Sequence, residues 1–91
     1  MLTLKILSPG GEAANVVCDS ITLTVKDNSQ GKGGGSYGIR TGHAPALIAT
    51  DKGVITAKKD GQIIFSDRFD EGMATVDSNT VTVITLSGSK S

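Results

Sequence analysis

Apolar and polar residues alternate along much of the chain, and this pattern predicts short β-strands. Residues 2–6 read Leu-Thr-Leu-Lys-Ile, and residues 21–25 and 80–83 repeat the same period of two. A period of two places one face of a strand against a core and the other toward solvent. Residues 63–65, Ile-Ile-Phe, form a short apolar run instead. We therefore expect a strand there that is covered on both faces.

Turn-forming residues separate these segments at intervals of about ten residues, which is typical of a β-sandwich. They occur at Pro9-Gly10, Asp27-Asn28, Gly42, residues 51–53, Asp60-Gly61, Glu71-Gly72 and residues 77–79. Residues 59–62, Lys-Asp-Gly-Gln, predict a hairpin with a two-residue turn. Residues 44–49 have the one helix-like composition, but six residues are too few to form a stable helix alone. The glycine-rich residues 27–36 predict a flexible loop.

Length and composition limit what the chain can do. Its 91 residues make one domain, and only 3% of them are aromatic, so the core must be aliphatic. Nine basic and nine acidic residues give a net charge of zero, so attraction to nucleic acid or to an anionic membrane is not supported. No stretch approaches the length of an apolar transmembrane helix, which argues against direct membrane insertion.

Motifs that resemble catalytic or cofactor sites fail on their context. Ser36 lies in a Gly-x-Ser-x-Gly pattern, but a hydrolase nucleophile needs a strand before it and a helix after it. Lys32 follows a glycine but is not followed by the Ser or Thr of a phosphate-binding loop. Cys18 is the sole cysteine and sits beside valines, which favours a small buried side chain over a reactive thiol. We expect no catalytic, cofactor-binding or metal site.

His43 is the one side chain expected to titrate near neutral pH. No cluster of His, Cys or carboxylates surrounds it in the sequence. Two compatible hypotheses remain: His43 stabilises its own turn, or it belongs to a protein interface.

Residues 37–49, Tyr-Gly-Ile-Arg-Thr-Gly-His-Ala-Pro-Ala-Leu-Ile-Ala, are the most informative part of the chain. Glycine and proline make the centre, residues 42–45, a turn between two extended segments. This turn resembles that of the epsilon subunit of the rotary F-type ATP synthase, in its N-terminal β-sandwich domain. Other segments fit the family's strands in order: residues 4–11, 19–23, 53–55, 59–61, 72–76 and 79–84.

Strand counting and the resemblance together predict an all-β fold, a single β-sandwich of about eight to ten short strands. The domain is expected to span residues 1–86, with a flexible tail at 87–91. The resemblance implies a non-catalytic subunit of the central stalk, without a cofactor, that binds the gamma subunit and the ring of c subunits. It would help couple ring rotation to ATP synthesis or hydrolysis. It would lie peripherally on the cytoplasmic face of a bacterial energy-transducing inner membrane, and the isolated chain is expected to be a monomer.

The resemblance also implies two sets of contact residues. The residues expected at the c-ring are Ser36, Tyr37, Arg40, Thr41 and His43. The residues expected at gamma are Ser8, Ala46, Leu47 and Ile48.

The sequence departs from the family's pattern in three places. Ser36 stands where an acidic residue is frequent, and Thr41 where proline is usual. The sequence stops before the two C-terminal helices of many epsilon subunits, so their inhibitory and nucleotide-binding roles are not expected of these residues. Two alternatives remain open, a naturally short subunit and a truncated chain. The alternative interpretation is an unrelated small β-sandwich that binds proteins, and an enzyme has the least support.

Overall fold

The computed structural model describes residues 1–25 and 35–86, and these form nine β-strands. The strands are β1 (Leu2–Ser8), β2 (Gly11–Cys18), β3 (Ser20–Val25), β4 (Gly35–Arg40), β5 (Ala46–Thr50), β6 (Gly53–Lys59), β7 (Gln62–Phe69), β8 (Gly72–Asp77) and β9 (Thr80–Thr85). The predicted all-β fold is confirmed. The predicted glycine-rich loop, apart from its last two residues, and the predicted tail lie outside the described residues.

The strands form two layers. The first sheet has the order β2-β1-β9-β8-β5, in which β1 and β9 run parallel and the other neighbours antiparallel. The second sheet has the order β4-β3-β6-β7 and is antiparallel throughout. A single pair, Val25 with Thr50, joins the two sheets. This is the sandwich that the sequence predicted.

The core lies between the two sheets and follows from the period-two pattern. Leu2, Leu4 and Ile6 of β1 are buried, and its neighbour β9 contributes Val81 and Val83 in the same way. The remaining buried hydrophobic residues are Cys18, Ile21, Leu23, Ile39, Ile55, Ala57, Phe69, Ala74 and Val76. Burying each large aliphatic side chain contributes about 1.5–3 kcal/mol. The core is aliphatic, as the composition predicted.

Strand β7 differs from its prediction. The run at residues 63–65 was expected to be covered on both faces, and this is wrong: Ile63 is 60% exposed and Ile64 45%. Among the described strands β7 pairs only with β6, and the register shifts between Ala57 and Lys58. Such a bulge puts two residues opposite one and turns both toward the outside.

The predicted hairpin between β6 and β7 is confirmed. Asp60 and Gly61 both have positive φ, 54° and 79°, as the mirror-image two-residue turn requires. The helix-like residues 44–49 are not helical, and β5 begins at Ala46.

Successive strands run in opposite directions, so the connections gather at the two ends of the sandwich. We call one of these the turn end, which consists of Asp19, residues 41–45, the turn at Asp60-Gly61 and the turn at Ser78-Asn79. The opposite end holds Pro9-Gly10, Asp51-Lys52 and Asp70-Glu71.

Candidate protein-binding surfaces

The turn at residues 41–45 is held by hydrogen bonds that its backbone N–H groups donate. Gly42 has a φ of 90°, which glycine adopts without strain. Its N–H donates to Oδ1 of Asn79 at 2.9 Å, and the N–H of His43 donates to the carbonyl of Arg40 at 3.1 Å. The carbonyl of Asn79 in turn accepts from the N–H of Thr3 at 2.9 Å. Asn79 therefore ties this turn to the β8–β9 turn and to the start of β1.

The His43 ring is held from both sides. Its Nδ1 lies 2.6 Å from the carbonyl of Ala44, and its Nε2 lies 2.9 Å from the hydroxyl of Tyr37. A carbonyl only accepts, so Nδ1 carries the proton, and in the neutral ring Nε2 accepts from Tyr37. The two rings also meet edge to face, with centroids 5.8 Å apart. This geometry is that of a side chain that stabilises its turn.

The five residues expected at the c-ring do not form one surface. Arg40 and Thr41 are exposed at the turn end, where His43 is half-buried against Tyr37. Ser36 is the second residue of β4 and precedes Arg40 by four residues. Four residues of a strand span about 13 Å. Ser36 therefore lies toward the opposite end of the sandwich.

The four residues expected at gamma also lie on different surfaces of the domain. Leu47 projects from the outer face of the first sheet and is 67% exposed. Ala46 and Ile48 are partly buried against the core. Ser8 ends β1, and its hydroxyl donates to the carbonyl of Gly11 at 3.3 Å.

An apolar row crosses the outer face of the first sheet. Ala49, Met73, Ile84 and Leu7 are successive register partners in β5, β8, β9 and β1. Paired residues project from the same face, so their side chains are neighbours. Leu47 and Leu86 lie two residues from Ala49 and Ile84 and extend the row on the same face. We call Leu7, Leu47, Met73, Ile84 and Leu86 the apolar face.

The apolar face is open to solvent and contains a depression. Met73 is 46% exposed, Ile84 55% and Leu86 65%. The depression measures about 360 Å³ and is lined by Glu71, Gly72, Met73, Ile84 and Leu86. Apart from Leu47, sequence reasoning missed these residues. The available signal was Ile84, which is apolar at a position where the alternation of β9 calls for a polar residue.

The outer face of the second sheet is polar at its centre, while exposed Val54 and Ile63 lie on β6 and β7. Gly38, Thr22, Thr56 and Ser66 form one row of register partners across it. The next row, toward the turn end, runs from Arg40 through Ser20 to Lys58. The rows at the centre of this face thus lack the large apolar side chains of the apolar face.

Cys18 is fully buried, as the sequence predicted. Burial raises the pKa of its thiol, and the adjacent Asp19 carboxylate adds to the rise.

In the described part of the chain, no three His, Cys, Asp or Glu side chains come close enough together to hold a metal ion. Residues 1–25 and 35–86 also contain no helix that is long and apolar enough to cross a membrane.

A small sandwich with a tethered turn at one end and an apolar row across one face has the features of a domain that binds other proteins. The family model described as the ATP synthase delta/epsilon chain, beta-sandwich domain, matches residues 1–89, and the chain belongs to this family. The resemblance read from the sequence is thereby confirmed.

A solved structure supports the same fold. The chain is similar to one in the cryo-EM structure of the Tetrahymena thermophila mitochondrial ATP synthase, central stalk and c-ring, with a TM-score of 0.66 and 14% sequence identity. The similarity covers 93% of this chain and 63% of that chain, so this chain spans less than two thirds of its neighbour's length. A search of curated proteins gave no match.

Proposed function

We propose that this chain is an epsilon-type subunit of the ATP synthase rotor. In this role it binds the gamma subunit and the c-ring and helps couple ring rotation to ATP synthesis or hydrolysis. It performs no chemistry itself and needs no cofactor. It works peripherally, on the cytoplasmic face of a bacterial energy-transducing inner membrane. The family match over residues 1–89 and the likeness to a chain of a central stalk and c-ring support the proposal.

The apolar face carries the proposed contact with gamma. Contiguous exposed hydrophobic side chains on a small protein mark a surface that a partner covers. Leu47 belongs to this face and to the residues expected at gamma. Ala46, Ile48 and Ser8 support the contact through the backbone of β5 and β1, because their side chains point elsewhere.

Calorimetric titration against the gamma subunit from the same organism tests this contact. The unaltered chain should form a one-to-one complex. Ile84→Asp should weaken it at least about tenfold, since a charge then replaces an apolar contact at the centre of the surface. Thr56→Asp, in the polar centre of the outer face of the second sheet, is the matched control and should bind normally. A folded chain that does not bind gamma would favour the unrelated protein-binding module instead.

The proposed contact with the ring uses one end of the sandwich. The five expected residues occupy two ends, with Ser36 toward one and Arg40, Thr41 and His43 at the other, where Tyr37 positions His43. A domain of about 30 Å standing on a ring presents only one of these ends at a time.

Cysteine cross-linking in the assembled complex tests the ring contact. Ser36→Cys and Thr41→Cys place exposed thiols at the two ends, while the native Cys18 stays buried. We expect one of the two positions, and not the other, to cross-link to a c subunit. Cross-linking from neither position would contradict the ring contact, and equal cross-linking from both would contradict a contact through one end.

A further inference from the structure

The outer face of the second sheet holds a polar depression beside the turn end. It measures about 330 Å³ and is lined by Asp19, Ser20, Arg40, Lys58 and Gly61. Ser20 is the register partner of Arg40 on one side and of Lys58 on the other. Neighbouring strands lie about 4.8 Å apart, and paired side chains project from the same face. Both long cationic side chains can therefore reach a common point above the Ser20 hydroxyl.

The charges of this depression are only partly compensated. Arg40 and Lys58 are exposed, and neither forms an ion pair with a carboxylate in the described residues. The Asp19 carboxylate accepts from the backbone N–H of Asp60 at 2.9 Å, a contact that fixes it at the edge of the hairpin. The lining thus carries two positive charges and one negative charge.

We propose that this depression binds a carboxylate side chain, Asp or Glu, of a rotor protein that meets the turn end. The guanidinium of Arg40 donates two parallel hydrogen bonds to the carboxylate, Lys58 adds a positive charge, and the Ser20 hydroxyl donates a third bond. Because Asp19 offsets one of the two positive charges, the lining has a net charge of +1, which a single carboxylate neutralises. A phosphate dianion would exceed it and would face Asp19. The site rests on the proposed rotor function and adds Ser20 and Lys58 to its contact residues.

Charge reversal tests the site in binding assays with gamma and, separately, with the isolated c-ring. Lys58→Glu should weaken binding to the protein that supplies the carboxylate by about tenfold, and Lys58→Gln by less. The salt dependence of that binding should also become shallower. Arg68→Glu is the control, because Arg68 lies on the same outer face but toward the opposite end. If the variant binds only one of the two more weakly, gamma or the c-ring, that one supplies the carboxylate.

The outcomes separate this site from the proposed function. If the unaltered chain binds gamma and the ring, and neither Lys58→Glu nor Arg40→Glu changes either affinity, the site is wrong while the rotor function stands. If the unaltered chain binds neither protein, the rotor function fails.

A small probe then tests the site by itself. Acetate, which carries a single carboxylate, titrated at low salt into the unaltered chain, should shift the backbone amide NMR signals of Ser20 and Gly61 in a saturable way, and Lys58→Glu should abolish the effect. The absence of any shift, or tighter binding of inorganic phosphate than of acetate, would overturn the site.

Discussion

At the scale of single residues, the arrangement around His43 decides how the turn is held. Its tautomer is fixed by the Ala44 carbonyl, so the ring accepts from Tyr37 rather than donating to it. The sequence showed a histidine in a turn with two compatible roles. It could not show that Tyr37, six residues earlier on β4, is the partner, because that contact depends on how β4 enters the turn.

Removing the Tyr37 hydroxyl should loosen the turn without unfolding the domain. Tyr37→Phe leaves Nε2 of the half-buried His43 without its donor, and we expect a loss of about 1 kcal/mol in the free energy of unfolding. Urea titration measures the loss, and amide exchange at Gly42 and His43 should rise with it. Unchanged stability and exchange would show that the 2.9 Å contact does not hold the turn.

Thr50 is a second residue whose environment cannot be predicted from the sequence. It is 2% exposed, and its hydroxyl has no hydrogen-bond partner among the described residues. Burying an unpaired hydroxyl is unfavourable, so Thr50→Val should raise the free energy of unfolding by about 1 kcal/mol. Thr85→Val is the matched control, because Thr85 is 4% exposed but does make an interaction, and it should not be stabilising. A destabilising Thr50→Val would mean that the hydroxyl is bonded.

The Cys18 thiol should make the fold sensitive to alkaline pH. Its pKa is raised in the folded protein, mainly by burial. The folded state therefore keeps a proton that the unfolded chain releases near the ordinary thiol pKa of 9.0. Below that pH the contribution is fully present, and it is lost as the pH rises toward the folded pKa. Urea titrations from pH 7 to 10 should show a steeper loss of stability for the unaltered chain than for Cys18→Ala, and equal slopes would contradict the account.

At the scale of elements, pairing partners decide what a strand's composition means. The apolar run in β7 looks like an interior strand, yet β7 lies at an edge and carries Asp67 between the inward-facing Phe65 and Phe69. A charged residue on the inner side of an edge strand discourages pairing with another chain. Alternation alone predicted β1, β3 and β9, whereas the exposure of Ile63 and Ile64 depends on the bulge and on where β7 sits in the sheet.

The start of β8 depends on a close approach between backbones. A Cβ at Gly72 would collide with the carbonyl oxygen of Ile84 on the neighbouring β9. Gly72→Ala should therefore force the two strands apart and cost about 2 kcal/mol or more. Because Met73 and Ile84 lie beside this contact, binding to gamma should weaken as well. Gly38→Ala, where a Cβ meets nothing within 4 Å, is the control and should change stability by much less. Similar effects from both variants would contradict the close approach.

At the scale of the whole molecule, the sequence predicted the fold class from alternation and turn residues and the aliphatic core from composition. The family was predicted from a resemblance that extends along the chain. It did not predict the apolar face. That surface appears only when β5, β8, β9 and β1 lie side by side, and the parallel pairing of β1 with β9 brings together residues from the two ends of the chain. For the same reason, the sequence did not show that Ser36 and Arg40, which are four residues apart on β4, lie toward opposite ends of the sandwich.

The most direct test of the central claim is a cryo-EM structure of the assembled rotor containing this chain, gamma and the c-ring from the same organism. We predict that the face formed by Leu7, Leu47, Met73, Ile84 and Leu86 is buried against gamma, and that one end of the sandwich rests on the ring. An apolar face left open to solvent, with gamma bound to the outer face of the second sheet instead, would contradict the account.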